Sequence, residues 1–153
     1  MPTEQAHIEV ARVNQTTLEY LLCKLVDHSP WVATVAFYKA LHVAEAVFAR
    51  NPEVGHCADH LTRNRTLKAK YGGMWRHYRL LWSLSCLARY LADGEKEIRS
   101  FTDYMKPDDV KAVVVDSHLV GVQRAAAAYL SAESLQALGL PPPERARKSH
   151  KQE

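Results

Sequence analysis

Residues 30–50 limit the possible folds more than any other part of the chain. After Pro30 the segment contains neither glycine nor proline, and alanines are interleaved with aromatic and branched side chains all around its helical projection. A helix that is apolar nearly all round belongs in the middle of a helical bundle. Ser29 as N-cap and Pro30 at the first helical position predict its start, and Asn51-Pro52 predicts its end.

Apolar residues at three- and four-residue spacings predict further helices on either side of this segment. The expected ranges are about 3–26, 58–71, 74–92 and 107–130, with a short helix at 95–104 and a last turn at 133–138. Gly72-Gly73 and Gly94 are expected to end two of them. The sequence therefore predicts an all-α antiparallel bundle of about five helices, with residues 1–140 as one domain and 141–153 as a disordered, basic, proline-rich tail.

Length and composition indicate a globular protein of the cytoplasm. The 153 residues are 47% hydrophobic and 24% charged, and no apolar run approaches the roughly 20 residues that span a bilayer. The N-terminal residues lack the basic and apolar regions of a signal peptide. The three cysteines are widely spaced and form no CxxC pair, which favours reduced thiols.

Positive charge is concentrated in the middle of the chain. Residues 51–92 carry seven basic and two acidic side chains, a net of +5, whereas residues 93–140 carry five and eight, a net of −3. Six cations lie within seventeen residues and are interleaved with Tyr71, Trp75 and Tyr78; they are Arg63, Arg65, Lys68, Lys70, Arg76 and Arg79. Clustered cations suit a phosphate backbone, and aromatic rings suit unpaired bases. The alternative is an exposed helix whose charges only solvate it.

Several residues of this region are similar to those of a known family. The run at 31–46, His56, Arg63-Asn64-Arg65, Tyr78, Ser85 and Arg89-Tyr90 together resemble HEPN-domain proteins. These proteins are small antiparallel helical bundles, often dimeric, that occur in prokaryotic toxin–antitoxin, abortive-infection and CRISPR-linked systems. The resemblance covers residues 30–92 and implies a HEPN-like bundle that binds RNA, with Asn64 beside the cations, or serves as an accessory subunit.

The same resemblance implies a possible catalytic motif. Many HEPN proteins are metal-independent ribonucleases with an arginine, a following polar residue such as asparagine, and a histidine four to six residues after the arginine. Arg50, Asn51 and His56 fit this spacing. The histidine would move the proton of the ribose 2′-hydroxyl or of the leaving group, and the arginine would stabilise the phosphate charge, across a dimer interface.

Metal binding is the less favoured reading of the histidines. His42 and Glu45 are three residues apart and His56 and His60 four apart, which are spacings that place ligand pairs on one face of a helix, but His56 precedes the helix predicted at 58–71. The simpler reading is that His42 is a histidine of the core and His60 a surface residue. We therefore expect no metal and no cofactor.

The sequence leaves three functions open. The first is an RNA-binding or accessory subunit of a prokaryotic defence or toxin–antitoxin system, with RNA favoured over DNA as the partner. The second is the metal-independent endoribonuclease. The third is a non-catalytic helical module that docks onto a larger protein, and a homodimer is compatible with all three.

Overall fold

A computed structural model describes residues 1–142, and these residues fold into helices without a β-strand. The all-α prediction is confirmed, although the described residues contain more helical segments than the five expected. They are α1 (Glu4–Leu22), α2 (Leu25–Ala49), α3 (His60–Lys70), α4 (Gly72–Tyr90), α5 (Phe101–Tyr104), α6 (Pro107–Asp109), a π-helical segment (Val110–Leu119), α7 (Val120–Ala126) and α8 (Ala132–Ala137). Apart from Pro141 and Pro142, the predicted tail lies outside the described residues.

Helix α2 lies at the centre of the bundle, as its all-round apolar surface predicts. Helices α1 and α4 and the π-helical segment all pack against it. Val32, Phe37, Val43 and Phe48 are fully or almost fully buried. By length and composition α2 could cross a membrane, but 78% of its most apolar stretch is buried inside the bundle. That burial is typical of the core helix of a soluble protein.

The chain bends close to the place where the sequence predicts a helix start. Helix α2 begins at Leu25, before the predicted Ser29 cap, and its regular geometry is interrupted at His28 (φ −124°, ψ 16°). The kink lies just before Pro30 because a proline ring is incompatible with an uninterrupted preceding turn. Helices α1 and α2 are therefore joined by a very short connection that turns the chain back on itself.

Two predicted helix ends are wrong. Gly72 and Gly73 do not end α3 but begin α4, and the break falls at Tyr71 (φ −134°, ψ 53°). Helix α4 ends at Tyr90 and is capped by Leu91, whose φ of 57° is in the left-handed region that glycine usually occupies, and not by Gly94. The predicted helix at 95–104 is reduced to α5, because residues 92–97 form a turn with an isolated bridge between Ala92 and Glu97.

The last long helix contains an unusual wide segment. Helix α6, the π-helical segment and α7 follow one another without a break in helical backbone geometry. A run of ten π-helical residues is unusually long, because this geometry normally occurs as a single-turn bulge. The segment brings His118 Nδ1 within 3.3 Å of His77 Nδ1. At Gly121 the helix lies so close to α4 that an added Cβ would be 2.5 Å from the His77 ring.

A polar contact ties α1 to α8. Glu4 Oε1 accepts hydrogen bonds from the Ser131 backbone N–H at 2.8 Å and from Ser134 Oγ at 2.6 Å, and Oε2 lies 3.3 Å from Arg50 Nη1. Burial by itself would raise the pKa of Glu4, but the hydrogen bonds from the two serines and the nearby Arg50 outweigh it and lower the pKa. The carboxylate therefore stays ionised where α1 meets α8.

Candidate functional site

The structure divides the six predicted RNA-binding cations into two groups. Arg65, Lys68, Lys70, Arg76 and Arg79 are exposed, whereas Arg63 is only 4% exposed and points into the bundle. The prediction that Arg63 belongs to the cationic surface is therefore wrong. Sequence spacing could not separate it from its neighbours, because the face of α3 that is buried carries few apolar residues.

We call the exposed cations together the cationic face; they are Arg65, Lys68 and Lys70 on α3 and Arg76 and Arg79 near the start of α4. Residues three apart on a helix lie on the same side, so each helix presents a pair of neighbouring charges. Lys70 Nζ lies 3.5 Å from Glu53 Oε2. Within residues 1–142 no carboxylate oxygen lies within 4.0 Å of the other four cations.

The aromatic residues of the same segment do not face solvent with the cations. Tyr78 is fully buried, Tyr71 is 5% exposed, and Trp75 is half-buried and packs against the core. Asn64 is also half-buried, and its Oδ1 has no hydrogen-bond partner within the described residues. The stacking of bases on Tyr71 and Tyr78 that the sequence suggests is incompatible with this burial. The cationic face offers charge without an aromatic platform.

Arg63 belongs instead to a buried cluster around Glu45 on α2. Glu45 is fully buried, and its Oε1 lies 2.5 Å from Arg63 Nε. Its Oε2 lies 2.8 Å from His56 Nδ1 and accepts a hydrogen bond of 3.1 Å from the Cys57 backbone N–H. Arg63 also donates to the Cys57 carbonyl at 2.7 Å. Because all of these atoms pair, the charge of Glu45 can be held in the core.

The Glu45 cluster fixes the loop between α2 and α3. One guanidinium nitrogen of Arg63 lies 3.1 Å from His60 Nδ1 at the start of α3. Asp59 caps the same helix by accepting the Thr62 N–H at 2.8 Å. The loop therefore holds His56 in one orientation, with Nδ1 toward Glu45 and a side chain that remains 32% exposed.

Two further histidines adjoin the cluster. His7 on α1 is 5% exposed, its Nδ1 lies 3.1 Å from His42 Nδ1, and its ring stacks on that of His56 with centroids 5.6 Å apart. A short contact between two Nδ1 atoms requires one donor and one acceptor, so His7 and His42 cannot both be protonated. Burial is the largest cause that lowers the pKa of both rings; the charge of Arg63 also lowers it, whereas the charge of Glu45 raises it. Burial therefore favours the neutral form of His7 and of His42 next to the Glu45–Arg63 pair.

The three residues of the predicted catalytic motif have separate partners. Arg50 is exposed and lies 3.3 Å from Glu4, Asn51 donates from Nδ2 to the Tyr71 hydroxyl at 3.1 Å, and His56 pairs with Glu45. Within the described residues no hydrogen bond joins Arg50 or Asn51 to His56. Only His56 is held in a defined orientation by a buried acid.

A second network connects residues that carry the HEPN resemblance. Arg89 on α4 donates to the Ser85 carbonyl and to the Tyr38 hydroxyl, both at 3.1 Å. Its guanidinium carbon lies 4.8 Å from the centroid of the Tyr90 ring. The network joins α4 to α2 on the outside of the core, so these residues serve at least to hold the two helices together.

Sequence reasoning found part of the Glu45 cluster and missed the rest. The spacing of His42 and Glu45 singled them out as a pair on one helical face, but His7 comes from a different helix and has no local signal. The usable signal was Glu45 itself, because a lone carboxylate in a helix that is apolar all round must find a partner.

The chain thus carries two features that can serve a function, the cationic face and the cluster of His7, His42, Glu45, His56 and Arg63. The first can attract polyanions, and the second can hold a proton or a cation next to a partly exposed imidazole. Comparison of the chain with family models, with curated proteins and with solved structures found no match.

Proposed function

We propose that this protein is a HEPN-like, cytoplasmic, RNA-associated subunit of a prokaryotic defence or toxin–antitoxin system, and that it binds RNA through the cationic face. The observation that supports RNA binding is the set of four exposed cations, Arg65, Lys68, Arg76 and Arg79, without a carboxylate within 4.0 Å among residues 1–142. The family and the system are proposed from the sequence resemblance.

The arrangement favours contact with phosphates over reading of bases. Cations on two consecutive helices can neutralise several phosphates at once, and the release of counterions supplies the free energy of binding. Tyr71 and Tyr78 are buried and cannot stack on bases, which removes one source of sequence preference. We therefore expect binding that depends strongly on salt and weakly on sequence.

The test is the salt dependence of binding to a single-stranded RNA of about 20 nucleotides. Each lost phosphate contact reduces the slope of log K against log salt by about 0.7, so Arg65→Gln/Lys68→Gln should reduce it by roughly 1.4. The control is Arg12→Gln/Arg124→Gln, which removes two exposed arginines from α1 and α7. An unchanged slope and affinity in the α3 variant would refute the proposal.

Two further outcomes separate the alternatives. Tighter binding to a DNA strand of the same sequence would overturn RNA as the partner. Absence of binding to either nucleic acid, with a stable complex between the protein and a larger acidic protein from its host, would replace RNA association by a protein-docking function.

A second candidate function is metal-independent RNA cleavage at His56. The observation that favours it is the contact of 2.8 Å between His56 Nδ1 and the buried Glu45, which orients the imidazole of a residue that is still 32% exposed. Nε2 could remove the proton of a 2′-hydroxyl, whose oxygen would attack the adjacent phosphorus and expel the 5′-oxygen of the next nucleotide, which takes up a proton from water. Arg50 would neutralise the phosphate if RNA replaced Glu4 as its partner.

Cleavage is tested with RNA in the presence of EDTA. The expected products are a 2′,3′-cyclic phosphate and a 5′-hydroxyl, and His56→Gln and Arg50→Gln should each reduce the rate at least 100-fold. His118→Gln, a change of another half-buried histidine, is the control. Full activity of His56→Gln would eliminate this candidate without affecting the proposal on RNA binding.

A further inference from the structure

We propose that His7, Glu45 and His56 bind one divalent transition-metal ion. One nitrogen of each imidazole and one carboxylate oxygen lie within 4.8 Å of one another. The three residues come from α1, α2 and the loop before α3, so the fold gathers them from distant parts of the sequence. This inference concerns the buried cluster and is independent of the cationic face.

Two of the ligand atoms already have nearly the spacing that one ion requires. His56 Nδ1 and Glu45 Oε2 are 2.8 Å apart. Two ligands at about 2.0–2.1 Å from a tetrahedral zinc ion are roughly 3.3 Å apart, so the pair needs to open by only about half an ångström. The ion would take the place of the hydrogen that the two atoms now share.

The third ligand has a buried nitrogen without a partner. His7 Nδ1 lies against His42, whereas His7 Nε2 is inaccessible to solvent and has no hydrogen-bond partner within the described residues. An unpaired buried nitrogen is unfavourable, and binding to an ion would relieve this cost. His42 would then hold the His7 ring from its other nitrogen, as the outer hydrogen-bond partners of metal-bound histidines commonly do.

The remaining contacts of Glu45 hold the carboxylate in place for an ion. Arg63 binds Oε1 at 2.5 Å, and the Cys57 N–H lies 3.1 Å from Oε2. The Arg63 guanidinium repels a bound cation, so we expect micromolar affinity and not the much tighter binding of structural zinc sites. His56 is 32% exposed, which gives an ion and one water molecule access to the site.

The types of ligand select the class of ion. Two imidazoles and one carboxylate suit Zn²⁺, Co²⁺ and Fe²⁺, whereas Mg²⁺ and Ca²⁺ prefer sets made of oxygen atoms. Three protein ligands leave one position open, which is the arrangement of catalytic zinc sites. We therefore expect Zn²⁺ to bind and Mg²⁺ not to compete with it.

The test uses the full chain without an affinity tag, after treatment with EDTA. Titration calorimetry with Zn²⁺ should give one site per chain, and Co²⁺ should produce the visible absorption of a site with nitrogen and oxygen ligands. His7→Gln and His56→Gln should each weaken binding at least 10-fold. His118→Gln should not, although His118 also lies against another histidine.

Circular dichroism shows whether each variant is folded, and His56→Gln is the safer variant because its side chain is partly exposed. Wild-type affinity in both His7→Gln and His56→Gln would overturn the proposal, as would the absence of Co²⁺ absorption in the wild-type protein. An equal loss of Zn²⁺ affinity in His118→Gln would place the ion elsewhere and would also overturn the proposal. None of these outcomes depends on RNA.

Discussion

Glu45 and Arg63 form an ion pair that is almost completely enclosed by the protein. Glu45 Oε1 lies 2.5 Å from Arg63 Nε, and the two side chains are 0% and 5% exposed. Removing both charges from water is expensive, and the pair recovers this cost only because His56 and Cys57 satisfy the remaining atoms. The pair joins the core helix α2 to the otherwise polar α3.

The first prediction concerns the loss of one member of this pair. Glu45→Gln should reduce the free energy of unfolding by about 3–5 kcal/mol, because it leaves the Arg63 guanidinium buried without a counter-charge. The measurement is urea denaturation followed by circular dichroism. Adding Arg63→Met should recover part of the loss, since the second change removes the unpaired charge.

The exposed pair of Glu9 and Arg12 provides the control. Their side chains are 65% and 56% exposed, and Glu9→Gln should change the stability by less than about 0.5 kcal/mol. A loss below 1 kcal/mol in Glu45→Gln would mean that Arg63 reaches water easily, contrary to its burial.

The second prediction is a loss of stability on mild acidification. Burial is the largest cause that lowers the pKa of His7, His42, His60, His77 and His118 below 6.5. The unfolded chain therefore takes up protons near pH 6.5 that the folded protein does not, so the free energy of unfolding falls as the pH drops below 6.5. Above that pH these histidines are neutral in both states, so they do not make the free energy of unfolding depend on pH.

Thermal unfolding in EDTA between pH 8 and pH 5 checks this expectation. This range stays above pH 4.5. Below that pH, protonation of Glu4 would cause a separate loss of stability. The decline should be shallower in His7→Gln, because this variant lacks one of the depressed groups. A melting temperature that is constant from pH 7 to pH 5 would contradict the prediction.

The third prediction tests the close approach of α7 to α4. Gly121→Ala places a Cβ 2.5 Å from the His77 ring and should destabilise the protein by about 1–2 kcal/mol despite the better helix propensity of alanine. In a His77→Ala background the same change should instead stabilise by up to about 1 kcal/mol. Denaturation of the four proteins of this cycle gives both values, and the same sign in both backgrounds would disprove the contact.

The fourth prediction concerns a buried lysine on α2. Lys39 is 4% exposed, its Nζ donates to Gln15 Oε1, and burial lowers its pKa from 10.5 to about 8. At pH 7 the Lys39 amine is charged in both states, but it is buried in the folded protein and hydrated in the unfolded chain. Lys39→Met should therefore stabilise the protein by about 1–3 kcal/mol at pH 7.

This gain should shrink as the pH rises from 8 toward 10.5. The folded wild type loses its proton in this range while the unfolded chain retains it, so the wild type becomes more stable with increasing pH. Guanidinium denaturation at pH 7 and pH 10 compares the two proteins. A destabilising effect of Lys39→Met at pH 7 would show that the charge is well compensated.

Much of the fold follows from local patterns, and the errors have local causes. Helix α2 is recognised because alanines and large apolar residues surround it, and the kink at His28 lies beside Pro30. The sequence predicts a helix end at Gly72 and Gly73, but the break falls at Tyr71 and the two glycines begin the next helix. Tertiary packing decides such cases, because glycine is compatible with either role.

The candidate site is harder to predict from the sequence, because charged residues of α3 can be either buried or exposed. Arg63 and Arg65 are two residues apart and look equivalent, yet one pairs with Glu45 in the core and the other faces solvent. Nothing local to His7 indicates that it meets Glu45 and His56. Contacts between distant helices depend on the packing of the whole bundle, which one sequence does not reveal.

The bond between α1 and α8 also affects how the protein is made. During synthesis Glu4 leaves the ribosome 127 residues before Ser131, whose backbone N–H it binds in the finished fold. A growing chain can pair α1 with α2 early and bring Arg50 to Glu4 Oε2, but Oε1 gains its hydrogen bonds only after Ser131 and Ser134 have been made. This end of the bundle can therefore close only once the segment that contains α8 has been synthesised.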